Sequence, residues 1–245
     1  MKIAVVQPAS RESALRNTEK ALEDGSQLVL LPEKWVQTLE ELPVAEFQRL
    51  ATKYTAYIIP GAVEDGVSVV SPIITGRGRI LGLAKKIHLF GNERGRLIPG
   101  DKLITFTLNG VKIGVVICYD LDFPEIVRAL FQRGVEVLLV PSKVRRDGID
   151  KWRDYVRMRA LENRIAVVNA NAVQIPDFLG GSMVVVPYKR DSIVDVTVLG
   201  EMKEEDGYMV VDIDPMSYFH IRLERLREIL PFTVESLDEK TGDSL

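Results

Sequence analysis

The chain has 245 residues, of which 46% are apolar and 27% charged, a length and composition that fit one large soluble domain. Its formal net charge of −3 indicates no broad electrostatic attraction to nucleic acid or to an anionic membrane. One cysteine and two histidines exclude an internal disulfide and a thiolate metal cluster, and they argue against a zinc site built by the protein.

The first quarter of the chain alternates between predicted strands and helices. Apolar segments at 2–7, 27–33 and 57–63 predict strands, and helical patterns at 12–24 and 44–55 separate them. This alternation predicts βαβ-type construction, in which helices bury a sheet. No signal peptide or apolar run of membrane-spanning length is found, so we expect a cytoplasmic protein with no membrane partner.

The next segments are shorter and richer in turns. Strand-like stretches at 67–74, 78–84 and 103–108 are bounded by glycines and predict antiparallel hairpins. A polar and basic link at 85–101 lies between them. Because long loops inside compact domains often carry function, we expect this link to contribute to a site.

The only cysteine follows an apolar strand. Residues 113–117 predict a buried strand that ends at Cys118, and Pro124 suits the first turn of a helix that follows. A thiol at such a strand-to-helix turn lies beside unpaired backbone N–H groups, which favour a thiolate and later an oxyanion. A lone cysteine at a strand end is also typical of a small core residue, so this segment alone leaves both interpretations open.

The remainder of the chain continues the mixed pattern. Strands are predicted at 136–142, 165–171, 180–187 and 207–214, and helices at 149–164 and 216–230. Residues 231–245 form an acidic tail without a clear pattern. We therefore predict one α/β domain with a mixed sheet over residues 1–230, followed by a C-terminal tail.

Three polar residues occupy comparable places at the ends of predicted strands: Glu33, Lys86 and Cys118. Strand ends carry the ligand crevice in α/β sheets, so these residues can converge. A carboxylate can take the thiol proton, and an ammonium can stabilise the charge that develops on an attacked carbonyl oxygen. Each also has a structural alternative, as a helix cap, a solvated loop charge and a core residue, and spacing alone does not decide.

The blocks around these residues resemble the signatures of the nitrilase superfamily, the carbon–nitrogen hydrolases. They are residues 31–33, 86–90, and 118–120 with 123–125, in the order and at separations similar to those of the family. The similarity also includes Leu97-Ile-Pro-Gly-Asp101 and extends over residues 2–230. It implies an α/β fold of the four-layer α-β-β-α sandwich type with mixed sheets.

The resemblance also implies a site and a reaction. Glu33 would be the general base, Lys86 the stabiliser of the oxyanion, and Cys118 the nucleophile. Glu93 would orient the substrate or Lys86, and the backbone N–H of Tyr119 would complete the oxyanion hole. The expected reaction passes through a thioester and requires no metal or organic cofactor. The favoured substrate is a small linear amide, with nitriles and N-carbamoyl compounds open as alternatives.

The sequence gives less information about the shape of the pocket and the oligomeric state than about the catalytic residues. Trp35, Phe123, Lys143 and Asn171 are candidate pocket residues. The basic run from Lys143 to Arg146 either holds a substrate carboxylate or forms a solvated loop face. Two other classes stay open: a non-catalytic binding or assembly module, and a papain-like protease with His220 as its base. We expect a homodimer or larger homo-oligomer, as is usual for nitrilase-like proteins.

Overall fold

The computed structural model describes residues 1–235. The strands are β1 (Lys2–Gln7), β2 (Leu28–Leu30), β3 (Glu33–Thr38), β4 (Tyr57–Ile59), β5 (Ala62–Glu64), β6 (Val69–Ile74), β7 (Ile80–Lys85), β8 (Ile104–Leu108), β9 (Val111–Val115), β10 (Val137–Ser142), β11 (Ala166–Asn171), β12 (Val173–Gln174), β13 (Phe178–Leu179), β14 (Met183–Arg190), β15 (Ile193–Glu201) and β16 (Gly207–Asp212). The α-helices are α1 (Arg11–Glu23), α2 (Val44–Tyr54), α3 (Pro124–Gln132), α4 (Ile149–Asn163) and α5 (Phe219–Arg227).

Two mixed sheets form the centre of the molecule. The first has the strand order β16-β1-β2-β4-β6-β5-β3, with β7 paired to β6, and the second has the order β15-β14-β11-β10-β9-β8. Strands β1, β2 and β4 run parallel in the first sheet, and β9, β10 and β11 run parallel in the second. Antiparallel hairpins lie at 69–85 and 104–115, where the glycine turns predict them.

Alternation along the strands produces four layers. In β1, Ile3 belongs to a buried cluster shared by both sheets, whereas Ala4 belongs to the cluster that includes residues of α1 and α2. In β10, Leu139 faces the shared cluster and Leu138 joins the cluster that includes α3 and α4. Because successive strand residues point to opposite faces, each fully buried strand serves two cores. The order is helices, sheet, sheet, helices, which confirms the predicted α-β-β-α sandwich.

The predicted elements differ from the observed ones where the backbone turns sharply. The predicted strand 27–33 stops at Leu30, and after Pro32 the chain begins β3 with Glu33 as its first residue. The predicted strand 57–63 divides into β4 and β5 around Gly61, which has a φ of +97° that favours glycine. Strand β15 is not predicted from the sequence; it pairs antiparallel with β14.

The C-terminal α-helix is shorter than the helix predicted from the sequence pattern. A 3-10 helix at Pro215–Tyr218 precedes α5, so the predicted helix 216–230 covers two elements. No helix within residues 1–235 is both long and apolar enough to span a membrane. The predicted domain boundary at residue 230 stays a prediction, and residues 236–245 of the predicted tail lie outside the described residues.

Candidate active site

Cys118 lies in a sharp turn between β9 and α3. Its φ of +44° is in the left-handed region, which is uncommon for a residue with a side chain and occurs often at functional sites. Cys118 begins a 3-10 helix that runs to Asp122, and Pro124 is the first residue of α3. Within residues 1–235 the backbone N–H of Tyr119 makes no hydrogen bond, and Tyr119 lines the same cavity as Cys118.

Two carboxylates flank the ammonium of Lys86. Lys86 directly follows β7, and its Nζ lies 2.8 Å from Oε1 of Glu33 and 2.9 Å from Oε2 of Glu93. All three side chains are at most 5% exposed. Glu93 ends a short 3-10 helix, and its carboxylate also accepts a hydrogen bond from the backbone N–H of Phe90 at 2.8 Å. The predicted trio and Glu93 therefore lie together around one cavity.

The buried charges fix the resting protonation state. Burial raises the pKa of the Cys118 thiol, Glu33 raises it further, and Lys86 only partly opposes them. Burial alone would lower the pKa of Lys86, but Glu33, Cys118 and Glu93 outweigh it, so the pKa is raised. Burial alone would raise the pKa of Glu93, but Lys86 and Lys34 hold it low. The site thus holds a charged lysine, an ionised Glu93 and a neutral thiol that needs a base when it reacts.

Asp120 connects the segment of Lys86 to the loop of Cys118. Its buried carboxylate accepts hydrogen bonds from the backbone N–H groups of His88 at 2.7 Å, Ile87 at 3.2 Å and Ile117 at 3.3 Å. It also contacts the Nδ1 of His88 at 3.0 Å. The sequence placed Asp120 beside the nucleophile, but the donors Ile87 and His88 lie more than 30 residues away along the chain, so the role of Asp120 in joining the two segments was missed.

Lys34 adds a second ammonium that the sequence analysis did not single out. Its Nζ lies 2.6 Å from Oε1 of Glu93 and 2.9 Å from Oε1 of Glu64. Arg96 forms a two-bond contact with Glu64, at 2.6 and 2.8 Å. Burial alone would lower the pKa of Lys34, but Glu64 and Glu93 raise it, so this lysine is charged. A lysine next to a strand-terminal glutamate is the only sequence signal, and it does not reveal the partners.

The cavity above the thiol has a volume of about 600 Å³. Its walls combine the charged centre with aromatic and basic side chains: Phe90, Tyr119, Asp122, Lys143, Arg145, Lys151, Trp152, Tyr155 and Phe178. Lys143 lies at the inner wall, since its carbonyl oxygen is 4.0 Å from Sγ of Cys118 and its Nζ is 4.6 Å from the ring centre of Phe178. Burial lowers the pKa of Lys143. Of the four candidate pocket residues, Lys143 lines the cavity, and Arg145 of the basic run also lines it.

Three predicted pocket residues lie elsewhere, and those predictions were wrong. Trp35 packs in the core beneath α1 and α2, where its Nε1 donates to the carbonyl of Pro60. Phe123 stacks on the ring of His88 at 3.4 Å. Asn171 is fully buried, with its amide bound to the backbone of neighbouring loops. Each assignment used distance along the chain, whereas strand alternation and loop packing direct these side chains away from the cavity.

Neither histidine lines the cavity. His88 contacts Asp120, and His220 lies on α5 beside Phe219. Among the described residues, no histidine is therefore placed to act as a base for Cys118, and the papain-like alternative lacks the Cys–His contact that it requires. A thiol, a carboxylate and an ammonium in an α-β-β-α sandwich define a class of cysteine hydrolases that work without a catalytic histidine.

Comparison with known proteins agrees with this class. The sequence pattern of the carbon-nitrogen hydrolase family matches residues 2–218. A nitrilase from Pyrococcus abyssi is 30% identical over 217 residues, which is 80% of each chain. An (R)-stereoselective amidase from Pseudomonas sp. is 36% identical over 152 residues, which is 59% of this chain and 51% of the amidase.

A solved structure shows the same fold. It is a mutant of the amidase from Nesterenkonia sp. AN1 that carries the product of Michael addition of acrylamide at its active-site cysteine. Its sequence is 25% identical, the TM-score is 0.74, and the match covers 93% of this chain and 98% of that chain. The chain belongs to the carbon–nitrogen hydrolase family, and it is an enzyme of the amidase and nitrilase type with a Glu-Lys-Cys triad.

Proposed function

We propose that the protein hydrolyses a small linear amide to a carboxylic acid and ammonia through a thioester on Cys118. The observation that carries this proposal is the 2.8 Å contact between Lys86 and Glu33 on the floor of a cavity that Cys118 also lines. A carboxylate and an ammonium thus line the same cavity as the only cysteine of the chain, which supports their use as base and cation. The amidase relatives support the choice of an amide over other substrates.

In the first half-reaction, Glu33 takes the proton of the Cys118 thiol and the sulfur attacks the amide carbon. The carbonyl oxygen becomes negatively charged, and Lys86 Nζ and the backbone N–H of Tyr119 stabilise it. Glu33 then passes the proton to the leaving nitrogen, the C–N bond breaks, and ammonia departs. The acyl group stays on sulfur as a thioester.

In the second half-reaction, water takes the place of ammonia. Glu33 removes a proton from the water, whose oxygen attacks the thioester carbon, and the same oxyanion donors act again. The C–S bond breaks, the carboxylic acid leaves, and the proton returns to the thiol. Lys86 and Lys34 hold the pKa of Glu93 low, and its carboxylate holds Lys86 at its place beside Glu33.

The test is ammonia release from a panel of linear amides, nitriles and N-carbamoyl amino acids. We expect amides to be turned over fastest, with loss of activity in Cys118→Ala and in Glu33→Gln. Because Glu33 acts in both half-reactions, Glu33→Gln is expected to form no acyl-enzyme from an amide when its intact mass is measured. Preference for nitriles or carbamoyl compounds would replace the amide assignment. Absence of turnover and of any adduct on Cys118 across the panel would favour a non-catalytic binding module.

The cellular setting forms a second part of the proposal. The chemistry requires a free thiol at Cys118, which reducing compartments preserve, so we place the enzyme in the cytoplasm. The exposed apolar side chains of Tyr155 and Met158 on α4 support self-association into a homodimer or larger assembly. Light scattering coupled to size exclusion measures the subunit number, and a monomer at micromolar concentration would contradict this part.

A further inference from the structure

A buried chain of alternating charges leads from the protein surface to the nucleophile. It begins at the half-exposed guanidinium of Arg96 and passes through Glu64, Lys34, Glu93, Lys86 and Glu33. Each neighbouring pair is joined by a contact of 2.6 to 2.9 Å. The inner half of this chain belongs to the hydrolytic centre already described, and Lys34 is the member that joins it to the outer half.

The backbone of Lys34 explains why this side chain reaches the centre at all. Neighbouring residues of a strand normally point to opposite faces, yet both Glu33 and Lys34 line the cavity. Lys34 has a φ of +49°, in the left-handed region, and this turn breaks the alternation directly after Glu33. Its carbonyl oxygen accepts a hydrogen bond from the Nε2 of Gln174 at 3.1 Å. The strained conformation is held from outside the strand.

The charge balance of the centre depends on Lys34. Within this chain of ion pairs, removal of Lys34 leaves Glu33 and Glu93 with one cation, Lys86, and so with one excess negative charge. Arg96 and Glu64 neutralise each other, so Lys34 brings the centre to neutrality. The step that creates negative charge on the sulfur or on the substrate oxygen then starts from a neutral site. One unit of net charge has a large effect on the energy of this step, because the side chains are 12% exposed or less and water screens them weakly.

We propose that Lys34 is a positioning residue for the hydrolytic centre, which fixes the Glu93 carboxylate against Lys86 and supplies the second buried cation that stabilises negative charge on Cys118. This inference rests on the proposed function for its role in turnover. The other charged groups that line the cavity, besides Lys86 and Glu93, are Glu33, Asp122, Lys143, Arg145, Asp147 and Lys151. Lys34 touches no reacting atom, and it acts through Glu93.

The test follows the reactivity of the thiol itself. Cys118 is the only cysteine, so intact mass after treatment with iodoacetamide reports this thiol alone. Alkylation rates are measured over a range of pH in the wild type, Lys34→Met and Lys34→Arg. We expect Lys34→Met to react about tenfold more slowly near neutral pH, which corresponds to a one-unit upward shift of its pH profile. Lys34→Arg keeps the charge and is expected to recover most of the rate.

A second variant distinguishes an electrostatic role of Lys34 from a purely structural one. Glu64→Gln breaks the same chain of contacts but removes a negative charge, so its pH profile is expected to move downward. A merely structural role of Lys34 predicts changes in the same direction for both variants. Lys102→Met is the matched control, because Lys102 is exposed and forms no ion pair within residues 1–235. Its profile is expected to coincide with the wild type.

The outcomes are distinct. The inference is overturned if the pH profile of Lys34→Met is identical to that of the wild type. It is also overturned if the pH profile of Glu64→Gln shifts upward, and this second test remains valid even where Lys34→Met does not fold. The kcat/KM for the best amide is expected to fall in parallel with alkylation in Lys34→Met. A wild type that hydrolyses no amide but shows the expected shifts would refute the proposed function and leave the inference about Lys34 standing.

Discussion

Removing the carboxylate of Asp120 tests how the two halves of the site are held together. Asp120→Ala leaves the backbone N–H groups of His88, Ile87 and Ile117 without their acceptor, at places where the carboxylate now lies 2.7, 3.2 and 3.3 Å away. The first bond is short, and the other two are long. The segment of Lys86 then loses its attachment to the loop of Cys118.

The magnitude follows from these contacts. An orphaned buried donor costs roughly 1–3 kcal/mol, so one strong and two weak losses amount to about 3–5 kcal/mol of unfolding free energy. Asp120→Asn keeps one acceptor oxygen. It also carries no charge, so it avoids the cost of burying a carboxylate, the cost that raises the pKa of Asp120. We therefore expect a smaller loss of about 1–2 kcal/mol. A shift of Lys86 by about 1 Å is expected to lower kcat/KM about 100-fold in Asp120→Ala.

Urea unfolding measures the stability, with the midpoint compared at unchanged slope. The control is Asp154→Ala, because Asp154 is exposed on α4 and its side chain makes no hydrogen bond or ion pair among the described residues. Its stability is expected to stay within about 0.5 kcal/mol of the wild type. A loss below about 1 kcal/mol in Asp120→Ala, together with unchanged kcat/KM, would refute the idea that Asp120 braces the site.

Two further predictions concern the neighbours of the site. The Arg96 guanidinium, in spite of burial, lowers the pKa of Glu64 from 4.5 to about 2, so this pair stabilises the fold above pH 4.5 and the contribution is lost as the pH falls toward 2. Comparing urea unfolding of Glu64→Gln and wild type at about pH 7 and about pH 2 should show a difference that shrinks by about 1–2 kcal/mol on acidification; a constant difference would contradict the pairing. Gly61→Ala would place a Cβ 2.1 Å from the backbone oxygen of Pro32 at a φ of +97°, so we expect a loss of about 3 kcal/mol or more. Gly66→Ala, at φ +86° with open space around it, is expected to cost only about 1–2 kcal/mol, and equal losses would show that the contact with Pro32 is unimportant.

Local signals in the sequence identified the main strands and three of the positions at the centre of the site. The apolar run before Cys118 and the proline after it predicted a thiol in a strand-to-helix turn, which the structure confirms. The order of the Glu33, Lys86 and Cys118 blocks predicted the family and the sandwich fold. These features depend on residues close together in the chain, so a linear pattern is sufficient to reveal them.

The tertiary structure decided which side chains share the cavity. Trp35, two residues after Glu33, turns into the helix-covered core, whereas Lys34, the residue between them, enters the site because of its left-handed backbone. Glu64 and Asp120 meet their partners across 30 or more residues of chain. Side-chain direction and long-range charge pairing depend on how the strands pack, which residue spacing does not encode. The sequence by itself therefore predicted that Glu33, Lys86 and Cys118 share one site, and only the folded chain placed the second lysine among them.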